Sequence, residues 1–124
     1  MTETRPIVVA LAIDDLMLAS RVREALRGFV VDLVRFHADA ATQASARPDC
    51  VLVSMASRRG DPVECIRAAK DSGIPVVAFA GHLESDRLEQ ARSAGADRVV
   101  ANSSVSSHLP EVLRAIGLAP EARS

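Results

Sequence analysis

Read from its amino end, the chain alternates short, densely apolar runs with longer stretches in which apolar residues recur every three or four positions. The runs at 7–13 (IVVALAI), 30–36 (VVDLVRF), 50–55 (CVLVSM), 76–80 (VVAFA) and 98–101 (RVVA) are too short for helices, and most are rich in Val or Ile. Most also lack strict apolar–polar alternation, as expected of strands covered on both faces. Between them the spacing predicts a helix over 16–27, with Leu18, Val22, Ala25 and Leu26 on one face and Gly28 as its C-cap. A second helix, over 39–46, has room for only about two turns. The third has the clearest start: Asp61 and Glu64 form a capping-box pattern around Pro62 at the first helical position, and Gly73 stops it. A fourth, over 86–94, is capped by Ser85 and closed by Gly95. The last, over 108–116, follows Ser107 and turns Leu109, Val112, Leu113 and Ile116 inward. Pro110 fits there as a first-turn residue, whose amide needs no intrahelical partner.

Five strand–helix units in succession define an α/β protein with a mainly parallel sheet between two layers of helices. No repeat, low-complexity tract or linker interrupts them. The expectation is a single domain over 1–124, with an ordered core at about 6–117 and a frayed tail at 118–124.

Composition narrows the functions. Fifteen Lys and Arg against sixteen Asp and Glu leave a formal charge of −1, so no net field favours nucleic acid or an anionic membrane. The longest apolar runs fall far short of the roughly 20 residues of a membrane span. The start, MTETRP, lacks the basic and apolar regions of a signal peptide, which points to the cytoplasm. Cys50 and Cys65 lack CxxC spacing and read as reduced, structural thiols, and His37, His82 and His108 are scattered with no zinc-ligand spacing.

The "DD" of Asp14-Asp15 after the first strand, "PDCVLVS" as the third, "IPVVAFAG" as the fourth, "GADRVV" entering the fifth and the final run "LPEVLRAI" occur in a telling order. In that ordered combination, over essentially the whole chain, the sequence resembles the receiver domain of bacterial response regulators. The resemblance implies a five-stranded parallel sheet of order 2-1-3-4-5, a flavodoxin-like three-layer sandwich. It also implies a site at the carboxyl ends of the strands. Phosphorylation there needs a carboxylate nucleophile, acids to hold Mg²⁺, a hydroxyl to follow the phosphoryl group and a lysine to neutralise it.

In this chain that set is broken. The phosphoacceptor aspartate of the family falls on Ser54, the strand-four Ser/Thr on Ala80, the switching aromatic on Val99, and the Lys-Pro pair on Asn102-Ser103. Only the acidic pair survives, with Asp14 at the metal-holding position and Ile13 where an acid usually precedes it. Asp14 and Asp15 are the sole candidate cation ligands; either can equally cap the first helix and favour its positive end. A serine nucleophile at Ser54 would want a base, and His82 is the nearest candidate, with no acid to orient it.

The leading expectation is therefore a pseudo-receiver: no enzyme, no cofactor, but a phosphorylation-independent module that binds protein partners in signalling, with homodimerisation open. The resemblance places the partner face on the fourth helix, fifth strand and fifth helix, at Arg87, Gln90, Ala91, Arg98, Val105, His108 and Arg114. The alternative is a flavodoxin-like domain that binds a small ligand in the crevice at the strand ends. Against it stand the absence of GxGxxG, Walker and DxHxxG patterns and of any Tyr or Trp.

Overall fold

The computed structural model describes residues 6–27, 29–36, 48–58 and 60–118. The expected helix over 39–46, His37, Gly28 and residues 119–124 of the tail lie outside them. Five strands run parallel in the order 2-1-3-4-5: β1 (Ile7–Ala12), β2 (Val31–Arg35), β3 (Cys50–Ser54), β4 (Val76–Ala80) and β5 (Arg98–Ala101). Adjacent pairing is in register from Ile7 with Val31 through Ala80 with Ala101. The central strands β3 and β4 are buried at every residue, which explains their unalternated apolar sequence.

Four described helices cover the sheet: α1 (Leu16–Ala25), α2 (Pro62–Asp71), α3 (Ser85–Ala94) and α4 (Val105–Ala115). On one face Val9, Leu52, Val77 and Phe79 pack with Leu18 and Val22 of α1 and with Val105, Leu109 and Leu113 of α4. On the other, Ala10, Val51, Val53 and Ala78 meet Cys65, Ile66 and Ala69 of α2 and Ala91 of α3. Alternate residues of each strand thus feed two separate cores, the expected result of a two-residue side-chain period.

The amino ends of the strands are tied by one device used twice. Asp49, just before β3, donates its N–H to the Val8 carbonyl at 2.7 Å, while its carboxylate accepts the Val8 N–H at 2.9 Å. Asp97, just before β5, does the same with Val76, at 2.9 and 2.8 Å. Asp97 also accepts from Lys70 Nζ at 2.8 Å. Desolvation pushes the Asp97 carboxyl up, but the hydrogen bonds from Lys70 and Val76 and the Lys70 charge outweigh it and hold the group below its ordinary range.

Three helix starts carry lessons. Asp61 caps α2 as expected, accepting the Val63 N–H at 3.0 Å with Pro62 in the first turn. Ser85 is not the cap of α3: it is the first helical residue, and Glu84 precedes it without a side-chain cap bond. Helix α4 begins three residues before the expected start, because a single 3₁₀ turn over Asn102–Ser104 winds directly into it. Pro110 consequently lies in the helix interior, where its missing N–H leaves the Ser106 carbonyl without its i+4 donor.

Candidate functional site

The carboxyl ends of β1, β3, β4 and β5 bring Asp14, Ser54, Ala80 and Asn102 to one edge of the sheet. Ser54 ends β3 and is 2% exposed. Its Oγ accepts the Ala56 N–H at 3.3 Å, and its carbonyl accepts the Ser57 N–H at 3.1 Å. The hydroxyl is thereby tied into the turn that follows the strand, and the next hydroxyl, Ser57 Oγ, donates to the Ala12 carbonyl of β1 at 3.1 Å. Ala80, 1% exposed, offers no polar atom beyond its backbone. Asn102 opens the 3₁₀ turn after β5, and its Oδ1 is buried without a hydrogen-bond partner among the described residues.

The acidic pair divides its work. Asp15 caps α1: its carboxylate accepts the Met17 N–H at 2.9 Å and the Leu18 N–H at 3.4 Å. Asp14 accepts the Arg58 N–H at 2.8 Å and so fastens the β3–α2 loop to β1. A hard divalent cation wants six or more oxygens at short range. Here one carboxylate is a helix cap, the other holds a backbone amide, and the third strand-end position is a serine. Among the described residues no three His, Cys, Asp or Glu side chains converge on a metal-sized space. These residues do not fit the Mg²⁺ that phosphorylation would require.

The residues expected on the partner face scatter more than the sequence suggested. Gln90, Arg98, His108 and Arg114 are exposed. Ala91 and Val105 are fully buried and leave the face: Ala91 is the small residue on which α3 sits against the sheet, and Val105 is a core residue of α4. Arg114 stands over the Phe29 ring, 5.8 Å from its centroid, and His108 Nδ1 lies 2.8 Å from Ser107 Oγ. Arg87 turns back across the sheet edge. Its Nη1 donates to the Met55 carbonyl at 3.2 Å, its Nε pairs with Glu84 Oε2 at 3.2 Å, and Glu84 Oε1 accepts the Gly81 N–H at 2.8 Å. A cation thus does reach the end of β3, from a helix rather than from β5, and nothing in the spacing of the sequence announced it.

Cys50 opens β3, at the end of the strand away from this chemistry, whereas Cys65 of α2 lines one cavity with Asp14 and Ser57. Both are buried free thiols, and burial pushes Cys50 up to about 12, with the carboxylates of Asp97 and Asp49 adding to the effect. That thiol is chemically quiet at neutral pH.

Neither a family model nor a curated protein matches the sequence. Solved structures match in shape. The signal receiver domain of an HD domain-containing protein from Pseudomonas fluorescens Pf-5 aligns with TM-score 0.76 and 18% identity, over 93% of this chain and 89% of that one. The phosphorylated cyanobacterial phytochrome response regulator RcpA aligns with TM-score 0.74 and 16% identity, over 89% of this chain and 93% of that one. A CheY-like receiver domain protein from Methanospirillum hungatei JF-1 aligns with TM-score 0.70 and 16% identity, over 90% and 94%. At such identities the likeness speaks for the fold. This chain has the receiver-domain fold, and its structural neighbours are response-regulator receivers.

Proposed function

We propose that the chain is a receiver-like signalling module of the cytoplasm that works without phosphorylation and without catalysis, by contact with a protein partner or a second copy of itself. The observation that carries this reading is Ser54. The position that the receiver pattern reserves for a carboxylate nucleophile holds a buried hydroxyl whose oxygen is taken by the Ala56 N–H. A serine there cannot become an acyl phosphate, Ala80 cannot follow a phosphoryl group with a hydroxyl, and Asn102 cannot neutralise one. The Arg87–Glu84–Gly81 chain also holds the β4–α3 loop by bonds internal to the protein. The contact surface then lies on the exposed part of α3, β5 and α4, at Gln90, Arg98, His108 and Arg114.

The test has two arms. Incubation with a small phosphodonor and Mg²⁺ should leave the intact mass unchanged; a hydroxylamine-labile adduct lost in Asp14→Ala would overturn the assignment of Ser54. Reversal of the exposed face with Arg98→Glu and His108→Glu should weaken a copurified complex or self-association while the melting temperature stays nearly fixed. Exposed changes usually move stability by about 0.5 kcal/mol or less, whereas like charges across an interface cost several. Unchanged assembly in that variant would remove this face from consideration.

A further inference from the structure

The four described helices are held unequally. Helices α1, α2 and α4 each bury three side chains: Leu18, Ala19 and Val22 in the first, Cys65, Ile66 and Ala69 in the second, Val105, Leu109 and Leu113 in the last. Helix α3 buries Ala91 alone, with Leu88 and Ala94 only partly covered against the same core. A methyl group removes little apolar area from water, so burial fixes α3 least of the four. Its flank adds little, because the groove between α2 and α3 is lined chiefly by Arg67, Asp86, Glu89, Gln90 and Ser93. Segments with few buried apolar contacts are the first to open locally.

What holds α3 is polar and lies at its two ends. At the carboxyl end Gly95, at φ 109°, turns the chain out of the helix, its N–H on the Arg92 carbonyl and the Ala96 N–H on the Ala91 carbonyl, both at 3.0 Å. Two residues on, Asp97 is bonded to Val76 and to Lys70, so this end is fixed to β4 and α2. At the amino end no described side chain caps the helix. Instead Arg87 reaches from the first turn to the residue after β3, its Nη1 donating to the Met55 carbonyl at 3.2 Å in a partly buried bond, while its Nε pairs with Glu84. Among the described residues, that arginine is what ties the amino end of α3 to the tip of β3 beyond the covalent link to β4.

We propose that α3 is a swinging element, strapped shut by Arg87 and hinged at Gly95, which leaves the sheet as a unit while α1, α2 and α4 stay packed. The swing uncovers the Met55 carbonyl and the sheet face at Ala78 and Ala80, which pack in the same core as Ala91. The inference rests on packing inside the chain, so it stands or falls apart from the partner face of α3, β5 and α4.

Amide hydrogen exchange of the ¹⁵N-labelled protein, followed by NMR at neutral pH in zero and low urea, reads the opening directly. In the wild type the amides of residues 88–94 should exchange as one group, faster than those in the cores of the other helices and with a shallower urea dependence, because a local opening exposes less surface than unfolding does. The Asp97 amide, beyond the hinge, should stay in the slow class. Arg87→Met keeps a long unbranched side chain without its donors and should quicken the α3 group about tenfold, the worth of one hydrogen bond to a charged group. Arg92→Met removes an exposed cation of the same helix away from the strap and should change those rates by about twofold or less. Val22→Ala, in the core on the opposite face of the sheet, should quicken the slow class and leave the α3 group unmoved, since α1 stays packed in the swung state. Wild-type α3 amides with the urea dependence of global unfolding, or an Asp97 amide that opens with them, would overturn the proposal whether or not any variant folds. So would an α3 group that Arg87→Met leaves unchanged, that Arg92→Met quickens as much, or that Val22→Ala quickens along with the slow class.

Discussion

The two ends of the sheet handle charge in opposite ways. At the amino end, Asp49 and Asp97 keep their carboxylates, and each is committed to a neighbouring strand by a ring of two hydrogen bonds. At the carboxyl end, where the receiver fold conventionally concentrates charge, Ser54, Ala80 and Asn102 are all neutral. A carboxylate is worth keeping in a half-buried position only where amides or a cation satisfy it. The amino end supplies Val8, Val76 and Lys70 for that purpose. At the tip of β3 the carboxyl end offers one amide, the Ala56 N–H on Ser54 Oγ, while Arg87 is already committed to the Met55 carbonyl and Glu84, and a small hydroxyl that serves its own turn is the cheaper occupant.

The sharpest way to break this contrast is to return charge to the carboxyl end. Ser54→Asp buries a carboxylate, and each unit by which its pKa rises corresponds to about 1.4 kcal/mol. A loss of roughly 3 kcal/mol at neutral pH is expected, two units' worth or slightly more. The sign follows from the raised folded-state value: the penalty is full at neutral pH and shrinks as mild acid protonates the group. Urea melts at pH 7.5 and 5 read both. A variant as stable as the wild type at neutral pH would show that Arg87 or another partner receives the charge, and the two ends would no longer differ.

Removing charge from the amino end should also destabilise, but less. Asp49→Ala and Asp97→Ala each strip a strand amide of its acceptor, a loss of about 1–3 kcal/mol apiece. Because the Lys70 and Asp97 side chains are 33% and 35% exposed, their ion pair adds well under 1 kcal/mol to that. Similar losses in the two variants would support the shared device; a silent Asp49→Ala would leave Asp97 as a single case.

A smaller effect comes with pH. The folded Asp97 carboxyl lies below its ordinary value of 3.8, so its contribution is present above that value and is lost as pH falls through the lower folded one. Acid unfolding curves of Asp97→Asn should be correspondingly flatter below about pH 4. Matching slopes for variant and wild type would place the acid sensitivity elsewhere. The smallest change in stability, about 0.5 kcal/mol, is expected from Gly81→Ala, whose new Cβ would meet Glu84 Oε1 at 2.8 Å and displace it from the Gly81 N–H. Hydrogen exchange should quicken at Gly81 and Glu84 even where melts hardly move; unchanged exchange would mean that Arg87 alone holds the loop.

The sheet was legible because β3 and β4 are apolar at almost every position, and because Asp61-Pro62 and Gly95 mark helix ends by backbone chemistry that works locally. The start of α4 was not: Asn102-Ser-Ser-Val-Ser-Ser has the composition of a loop, and the burial of Val105 with Leu109 and Leu113 overrides that propensity. Ala91 was placed on the partner face by the resemblance, but it is fully buried, the small residue that lets α3 pack closely on the sheet. The neutral triad of Ser54, Ala80 and Asn102 was readable from the receiver pattern alone. The Arg87 bridge and the cavity were not, since each joins residues far apart in the chain through side-chain direction, which sequence spacing does not encode.

The sheet is open, so among the described residues β2 and β5 each present a row of backbone groups with no strand on the outer side. Such borders invite another strand to add, and with it aggregation. Exposed Asp32 and Arg35 on β2 and exposed Arg98 at the head of β5 place charges along both borders. Any assembly of this chain is thereby steered away from sheet extension and toward its helices, and Arg98 serves as a gatekeeper whatever else it touches.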